Sequence, residues 1–262
     1  MSAAAPSPLD AGRLRARLAA GETTFGTFVG GGSALMAEVC AAAGADWLLL
    51  DLEHGGGGEE QVRDVVPAAA SYGAPTVVRV ETGDRIRVGR VLDAGAAGVM
   101  IPQVESLENA RDSARALRYG PHGTRGIATY NRACRFGLDA SALERADQEV
   151  LGIFQVETLG ALREVDQIAA LEGVDVLFVG PRDLSHALGV PGRTDDPAYQ
   201  EAVGTVLAAA RLHGKTAGLL APDGAAAARW AEEGWRFIAI GSDTTVLAAA
   251  LQRELTTGRG GR

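Results

Sequence analysis

The hydrophobic pattern of the chain alternates between short apolar runs and longer stretches with helical spacing. Runs rich in Val, Ile and Leu predict strands, and apolar residues that recur every three to four positions predict helices. The predicted strands are TFGTFVG (24–30), DWLLLDL (46–52), PTVVRV (75–80), GVMIPQV (98–104), LGIFQVE (151–157), VDVLFVG (174–180), KTAGLLA (215–221) and RFIAIGS (236–242). The predicted helices lie near 33–43, 59–72, 84–94, 106–118, 160–171, 196–213, 223–233 and 244–257.

The order of these elements predicts an α/β fold, a single (β/α)8 TIM barrel. Most of the strands are apolar along their whole length, as expected of strands that are covered on both faces. An open doubly wound sheet would normally use fewer than eight βα units in succession. We expect one barrel domain over residues 1–262, with flexible tails at 1–8 and 256–262. A long connection at 119–150 interrupts the rhythm, and long loops of this kind often carry function.

Composition and charge exclude several classes of function. The net charge of −8 argues against nucleic acid as the main partner, because phosphate binding needs a basic surface. The two cysteines, Cys40 and Cys134, are not part of a CxxC pair, so neither a zinc-thiolate site nor a disulfide framework is expected. No apolar run approaches the roughly 18 residues of a membrane span, and no secretory signal is evident. We therefore expect a cytoplasmic protein without a membrane segment.

Ionisable or amide side chains end five consecutive predicted strands. In a barrel of this type, active sites gather at the carboxyl-terminal ends of the strands. These strands end, in order, in Asp51, Glu53 and His54; in Arg79; in Gln103; in Gln155 and Glu157; and in Arg182 and Asp183. We therefore expect one catalytic site at the mouth of the barrel.

Two carboxylates at this mouth are candidate metal ligands. Glu157 and Asp183 end adjacent strands, and carboxylates that lie close repel each other unless a cation or a shared proton intervenes. An oxygen-rich site of this kind suits Mg²⁺ or Mn²⁺. Alternatively, each carboxylate only caps the helix that follows it. Gly180 opens the segment GPRDLS (180–185), a strand-to-helix turn whose free backbone N–H groups favour an anion.

A histidine and an arginine complete the predicted chemistry. His54 follows Asp51 and Glu53, and a carboxylate partner can orient an imidazole and raise its basicity, which favours proton transfer over a structural role. Arg79 lies in apolar sequence, and a buried arginine needs an anionic or hydrogen-bonding partner. A substrate oxygen or a carboxylate such as Glu53 could supply that partner, and both could do so at once.

Several longer motifs resemble the HpcH/HpaI aldolases, a family of metal-dependent class II pyruvate aldolases. The motifs are DWLLLDLEH, VVRV, RVLDAGAAGVMIPQVES, RYGPHGTRG, QVET, EGVDVLFVGPRDLSHALG and IGSDTTVL, in the family's order over about residues 22–250. The family includes 4-hydroxy-2-oxoheptanedioate aldolase and 2-keto-3-deoxy sugar-acid aldolases. The resemblance implies a barrel of the phosphoenolpyruvate/pyruvate type. It also implies reversible cleavage of a 4-hydroxy-2-keto acid to pyruvate and an aldehyde, through a metal-stabilised pyruvate enolate.

The resemblance also implies roles for individual residues. Glu157 and Asp183 would hold the divalent metal, Mg²⁺ or Mn²⁺, with Co²⁺ or Zn²⁺ as alternatives. Arg79 would contact the keto oxygen of pyruvate, with Gln155 close by. His54 would act as the acid/base residue, and Asp51 matches a supporting acidic position.

Further implied contacts concern the substrate and a second subunit. The backbone around Gly180, Arg182 and Asp183 would receive the pyruvate carboxylate, and Phe28 and Leu220 are predicted to contact the substrate. Asp93 matches an acidic residue that family members present to the histidine of a neighbouring subunit. The implied assembly is a homo-oligomer, a hexamer built as a dimer of trimers, in which the C-terminal helix packs on a partner.

Departures from the family pattern affect the aldehyde pocket rather than the metal chemistry. The sequence has Tyr119-Gly120-Pro121 where the family has Tyr-Pro-Pro, and four glycines follow His54. A Schiff-base aldolase is disfavoured because the chain's only lysine, Lys215, begins a strand. Three alternatives stay open: a CoA-ester lyase of the citramalyl or malyl type, a different pyruvate or phosphoenolpyruvate enzyme of the same barrel group, and a non-catalytic barrel that binds 2-keto acids.

Overall fold

Eight parallel strands close into a barrel in the computed structural model, which describes residues 11–260. The strands are β1 (Thr24–Val29), β2 (Trp47–Asp51), β3 (Thr76–Arg79), β4 (Gly98–Ile101), β5 (Leu151–Val156), β6 (Val176–Val179), β7 (Thr216–Ala221) and β8 (Phe237–Ser242). Each strand pairs with the next in sequence, and β1 pairs with β8 to close the cylinder. The predicted barrel and all eight predicted strands are confirmed.

Helices surround the barrel and connect its strands. They are α1 (Ala11–Ala19), α2 (Ala34–Ala42), α3 (Glu59–Ala70), α4 (Arg85–Asp93), α5 (Leu107–Ala116), α6 (Ala142–Glu149), α7 (Leu159–Arg163), α8 (Val165–Ala169), α9 (Pro181–Ala187), α10 (Pro197–Leu212), α11 (Gly224–Glu233) and α12 (Asp243–Gly258). Along the described residues, none of these helices has the length and apolar character needed to cross a membrane.

Three of these helices were not predicted from the sequence. Helix α1 precedes the barrel and buries Leu14 and Leu18 against the apolar cluster inside it. Helix α6 lies within the long connection, and α9 follows β6 directly, with Pro181 at its first turn. The single helix predicted at 160–171 is divided into α7 and α8, because Glu164 between them leaves the helical conformation.

The strands separate two apolar layers, which explains why their sequences are apolar throughout. Leu48 and Leu50 of β2 pack in the layer beneath the helices, whereas Leu49 points into the barrel with Trp47. Inside the barrel, the indole of Trp47 stacks on the ring of Phe237 with centroids 3.8 Å apart. Both faces of each strand are therefore covered, as expected for a parallel sheet.

The two ends of the chain were predicted to be flexible tails. The last helix, α12, continues through residues 256–258, where the Thr256 hydroxyl donates to the Gln252 carbonyl, and the flexibility of this end stays a prediction. Residues 1–8 and 261–262 lie outside the described residues, and their predicted flexibility stays a prediction. Phe28 lies within β1, inside the predicted strand 24–30.

Candidate active site at the mouth of the barrel

Arg79 is held by two carboxylates where β2 and β3 end side by side. The register pairs Asp51 with Arg79, so the two side chains leave neighbouring strands at the same level. The guanidinium donates from Nε to Asp51 Oδ1 at 2.9 Å and from Nη2 to Asp51 Oδ2 at 2.7 Å. Its third nitrogen, Nη1, lies 3.1 Å from Glu53 Oε2. The predicted pairing with Glu53 is confirmed, and Asp51 supplies the stronger, bidentate contact.

These contacts affect the two carboxylates differently. Burial opposes ionisation of Asp51, but the hydrogen bonds from Arg79 hold the pKa of Asp51 below its usual value. Burial raises the pKa of Glu53, and neighbouring Asp51 and Asp183 add to this effect. Among the described residues, Glu53 Oε2 is buried without a well-aligned hydrogen-bond donor. Glu53 therefore belongs to the site as a carboxylate whose hydrogen bonding is incomplete.

Glu157 is a buried carboxylate that receives hydrogen bonds from amides. It follows β5, and Oε1 accepts the backbone N–H of Gln103 at 2.8 Å, while Oε2 accepts Gln155 Nε2 at 2.7 Å. Burial raises the pKa of Glu157 to about 7, and the charges of Asp183 and Glu53 add to the rise. A carboxylate in this setting binds either a proton or a cation at neutral pH.

Gln103 contributes to the site, although the sequence analysis assigned it no role. Its backbone is left-handed, with φ of 49°, a conformation uncommon for a residue with a side chain. Both its main-chain N–H and its side-chain Nε2 point to Glu157 Oε1. Its place after a strand was visible in the sequence, but its backbone conformation was not.

Helix capping does not explain the two candidate ligands. The cap of α7 is Thr158, whose hydroxyl accepts the Ala161 N–H, so Glu157 has no capping role there. Helix α9 is capped by Gly180 without a side-chain bond, and Asp183 lies exposed in its first turn. A Cβ at Gly180 would lie 2.2 Å from Glu157 Oε2, so a glycine is needed for the carboxylate to lie against this turn.

His54 lies at the rim of the mouth with an exposed ring. Its side chain is 67% exposed, and Nε2 lies 3.8 Å from Glu53 Oε2, too far for a hydrogen bond. The predicted orientation of the ring by a carboxylate is therefore not formed within this chain. Its backbone N–H donates to Asp51 Oδ1 at 3.3 Å, which fixes the loop that carries the ring.

Asp93 is not brought to His54 within one chain. It ends α4, five residues before β4 begins at Gly98, and so lies at the amino-terminal face of the barrel. Its Oδ1 accepts from Arg125 Nη2 at 2.9 Å. The implied contact with a neighbouring subunit's histidine stays a prediction.

The predicted substrate contacts lie around the same mouth. Phe28 is buried beneath Arg79, whose guanidinium carbon lies 5.2 Å from the ring centroid. Gln155 Oε1 is 3.5 Å from Arg79 Nη1, so this amide links the arginine to Glu157. Leu220 of β7 is partly buried against the apolar cluster in the barrel. Arg182 is exposed at the start of α9.

The donor atoms at the mouth fit a hard divalent cation. Within residues 11–260 there is no group of three or more His, Cys, Asp or Glu side chains that could hold a metal. The two carboxylates Glu157 and Asp183 could hold one only with further oxygens from water or substrate, the arrangement that Mg²⁺ commonly adopts. Burial and the neighbouring carboxylates of Asp183 and Glu53 raise the pKa of Glu157, so a cation bound here would favour its ionised form.

Comparison with known proteins identifies the group to which this barrel belongs. The HpcH/HpaI aldolase/citrate lyase family matches residues 24–250. A hydroxypyruvate/pyruvate aldolase of Pseudomonas aeruginosa is 39% identical over 248 residues, which covers 94% of this chain and 92% of the relative. A 2-keto-3-deoxy-L-rhamnonate aldolase of Klebsiella pneumoniae is 37% identical, covering 97% and 94%. The crystal structure of an HpcH/HpaI aldolase/citrate lyase family protein from Burkholderia cenocepacia superposes with a TM-score of 0.90 at 37% identity, covering 95% and 99%.

The structure is a parallel barrel that carries acidic residues and a paired arginine at its carboxyl-terminal mouth. This is the architecture of a TIM-barrel enzyme. The chain belongs to the HpcH/HpaI aldolase/citrate lyase family and is an aldolase, a carbon–carbon lyase. The relatives are named for different substrates, and identity near 37% leaves the particular substrate open.

Proposed function

We propose that the chain cleaves a 4-hydroxy-2-keto acid reversibly to pyruvate and an aldehyde, using a divalent cation held by Glu157 and Asp183. The observation that carries this proposal is the buried Glu157 carboxylate, whose pKa is raised to about 7 beside Asp183. Two carboxylates that favour a bound cation, next to a fixed arginine, suit a 2-keto acid that chelates the cation better than they suit a neutral ligand.

The cation, Mg²⁺ or Mn²⁺, would supply Lewis acidity to the keto oxygen of the substrate. Glu157 would present its carboxylate from β5, kept in place by the amides of Gln103 and Gln155. Asp183 would contribute from the first turn of α9. Co²⁺ or Zn²⁺ are alternatives with the same ligands.

Arg79 would stabilise the negative charge that develops on the keto oxygen as the carbon–carbon bond breaks. Asp51 holds two of its nitrogens in a bidentate pair, so the guanidinium does not reorganise during the reaction. Charged donors fixed in advance of the reaction are the most effective kind of electrostatic catalysis. Asp51 acts through Arg79 and is thus a positioning residue.

His54 would exchange protons with the substrate hydroxyl at the rim of the mouth. Its ring is exposed and free to meet a substrate, and its loop is fixed to Asp51 through the backbone N–H. Asp93 of a neighbouring subunit would then orient the ring, a role that needs the assembled enzyme.

The substrate would lie between α9 and the barrel interior. The backbone around Arg182 and Asp183 would receive the carboxylate of pyruvate, with Gly180 allowing close approach. Phe28 and Leu220 would contact the carbon chain. The aldehyde partner depends on groups further from the metal, such as the glycine run that follows His54, where the sequence departs from the family.

We further propose that the chain assembles as a hexamer built as a dimer of trimers. Helix α12 carries exposed apolar side chains, which support a subunit contact on this helix. They are Val246, Leu247, Leu251 and Leu255. Light scattering should give a mass of about six chains, and a monomer with full activity would contradict this assembly.

Exchange of pyruvate methyl protons in deuterated water tests the proposed function directly. The wild-type enzyme should exchange them with Mg²⁺ or Mn²⁺ present and stop when EDTA is added. Glu157→Gln should be inactive under both conditions, whereas Glu108→Gln, an exposed carboxylate on α5, should behave as wild type. Exchange that continues in EDTA would reject the metal-dependent reaction. A screen of aldehydes with pyruvate would then identify the acceptor.

A further inference from the structure

A cavity with basic walls lies at the opposite end of the barrel from the active site. It has a volume of about 180 Å³, and its polar lining consists of Arg111, Arg115, Arg118, His122 and Glu172. Arg111 and Arg115 lie on α5, Arg118 and His122 follow its carboxyl-terminal end, and Glu172 lies between α8 and β6, which places the cavity towards the amino-terminal face of the barrel. We refer to it as the basal cavity.

Arg118 is a buried cation without an adequate partner. It is 6% exposed, and among the described residues its Nε and Nη1 are buried and have no hydrogen-bond acceptor. The nearest carboxylate oxygen, Asp175 Oδ2, is 4.0 Å from Nη2. A buried charge in this state is costly, because it has lost its hydration without gaining a replacement.

Asp175 cannot compensate Arg118, because it is already engaged on both oxygens. Its Oδ1 pairs with Arg15 Nη2 at 2.6 Å, and its Oδ2 accepts the Gly152 N–H at 2.9 Å. Burial lowers the pKa of Arg118, and the charges of Asp175, Asp147 and Glu172 offset this only partly. Arg118 therefore has no carboxylate close enough to compensate its charge, since the nearest one lies 4.0 Å away.

A tight turn fixes the backbone that carries two of the arginines of the cavity. In the RYGPHGTRG segment (118–126), the Thr124 N–H donates to the Arg115 carbonyl at 2.8 Å, and the Arg125 N–H donates to the Arg118 carbonyl at 2.9 Å. A Cβ at Gly123 would lie 2.2 Å from the Arg118 carbonyl oxygen, so only glycine allows this packing. The backbone that carries both arginines is thus fixed before any ligand arrives.

We propose that the basal cavity binds a phosphate group, either inorganic phosphate or a small phosphomonoester. Three arginines face one carboxylate around it, and guanidinium groups match phosphate oxygens in charge and geometry. The volume of about 180 Å³ has room for a phosphate group and some water. The site is separate from the aldolase centre, and it does not depend on the proposed reaction.

Isothermal titration of the full chain with inorganic phosphate, in a chloride buffer free of sulfate and divalent metal, tests this site. Wild type should bind one phosphate per chain saturably. The double variant R111Q/R115Q, altered at two exposed positions, should weaken binding at least tenfold without affecting the fold. Arg118→Leu should abolish it. Arg63→Gln, an exposed arginine on α3, is the matched control and should bind as wild type.

A second control separates the basal cavity from the active site. Arg182→Gln removes an exposed arginine at the mouth and should leave phosphate binding unchanged. Titration with glycerol 3-phosphate distinguishes the ligand source: tighter binding than inorganic phosphate assigns a phosphomonoester, and equal or weaker binding assigns the free ion. Absence of saturable binding by either ligand would overturn the proposal. Loss of binding in Arg182→Gln, with retention in R111Q/R115Q, would overturn it as well.

Discussion

Two arginines, one at each end of the barrel, are both buried but differ in how their charge is compensated. Arg79 is 8% exposed and Arg118 is 6% exposed, so both have lost nearly all contact with solvent. Arg79 gains a bidentate carboxylate and a second carboxylate in return, whereas the nearest carboxylate oxygen to Arg118 is 4.0 Å away and shared. The charge of Arg79, the proposed catalytic arginine, is therefore compensated by the protein itself, whereas the charge of Arg118 is left for a ligand to compensate.

Loss of Arg79 should have the largest effect on both stability and turnover. In Arg79→Ala the buried carboxylates of Asp51 and Glu53 lose their counter-charge, and unfolding free energy should fall by about 3–5 kcal/mol. Turnover should fall by about 10²–10³-fold, because a fixed donor to the developing charge is removed. Urea unfolding and the rate of pyruvate release measure the two effects.

Arg79→Lys is the matched control for that prediction. It retains the charge but not the bidentate geometry, so it should recover part of the stability and little of the turnover. Wild-type stability in Arg79→Ala would mean that the pairing at the mouth contributes nothing to the fold.

The pH dependence of stability should reveal Glu157 in the metal-free enzyme. Its pKa is raised from 4.5 to about 7, mainly by burial, so the folded state holds this proton more tightly than the unfolded state. The stabilisation is complete below about pH 4.5 and is lost as pH rises through 7, a decline of up to about 3 kcal/mol. Urea unfolding in EDTA at a series of pH values measures it. Glu157→Gln should show a flatter profile, and an identical profile in both proteins would refute the assignment.

Replacement of Arg118 should have a smaller effect, and its sign should be opposite to that at Arg79. Arg118→Leu removes a buried charge that has no close partner, so in phosphate-free buffer we expect unfolding free energy to stay the same or rise by about 1 kcal/mol. Phosphate should raise the melting temperature of wild type and not of this variant. A loss as large as that of Arg79→Ala would show that Arg118 is paired in solution.

The smallest expected effect concerns the ring beneath Arg79. Phe28→Leu keeps an apolar side chain but removes the cation–π contact, worth about 0.5–1 kcal/mol. We expect kcat/KM to fall only a few-fold, with stability nearly unchanged, as measured by steady-state kinetics and urea unfolding. A fall as large as that for Arg79→Ala would indicate that Phe28 contacts the reacting atoms.

The fold could be predicted from the sequence because parallel strands that are covered on both faces are apolar along their whole length. Helix α1 was not predicted, because three arginines interrupt its apolar positions, which are visible as a core face only once the barrel is present. Helix α9 was not predicted because GPRDLS is short and opens with glycine and proline, which are typical of a turn.

The candidate site was predicted in its residue types and positions and in the contact between Arg79 and Glu53, but not in its other contacts. Strand ends located Asp51, Arg79, Glu157 and Asp183, since parallel strands bring their carboxyl ends to one face. The left-handed backbone of Gln103 and the separation of His54 from Glu53 depend on local conformation, which residue identity does not determine. The missing partner of Arg118 is likewise a property of three-dimensional packing.

Binding of Mn²⁺ is the measurement that tests the central claim most directly. Titration of the metal-free enzyme should give one Mn²⁺ per chain, with tighter binding as pH rises through 7, because Glu157 must lose its proton. Glu157→Gln and Asp183→Asn should each lose this binding, whereas Glu108→Gln should retain it. Wild-type affinity in either of the first two variants would contradict the assignment of these carboxylates as the metal ligands.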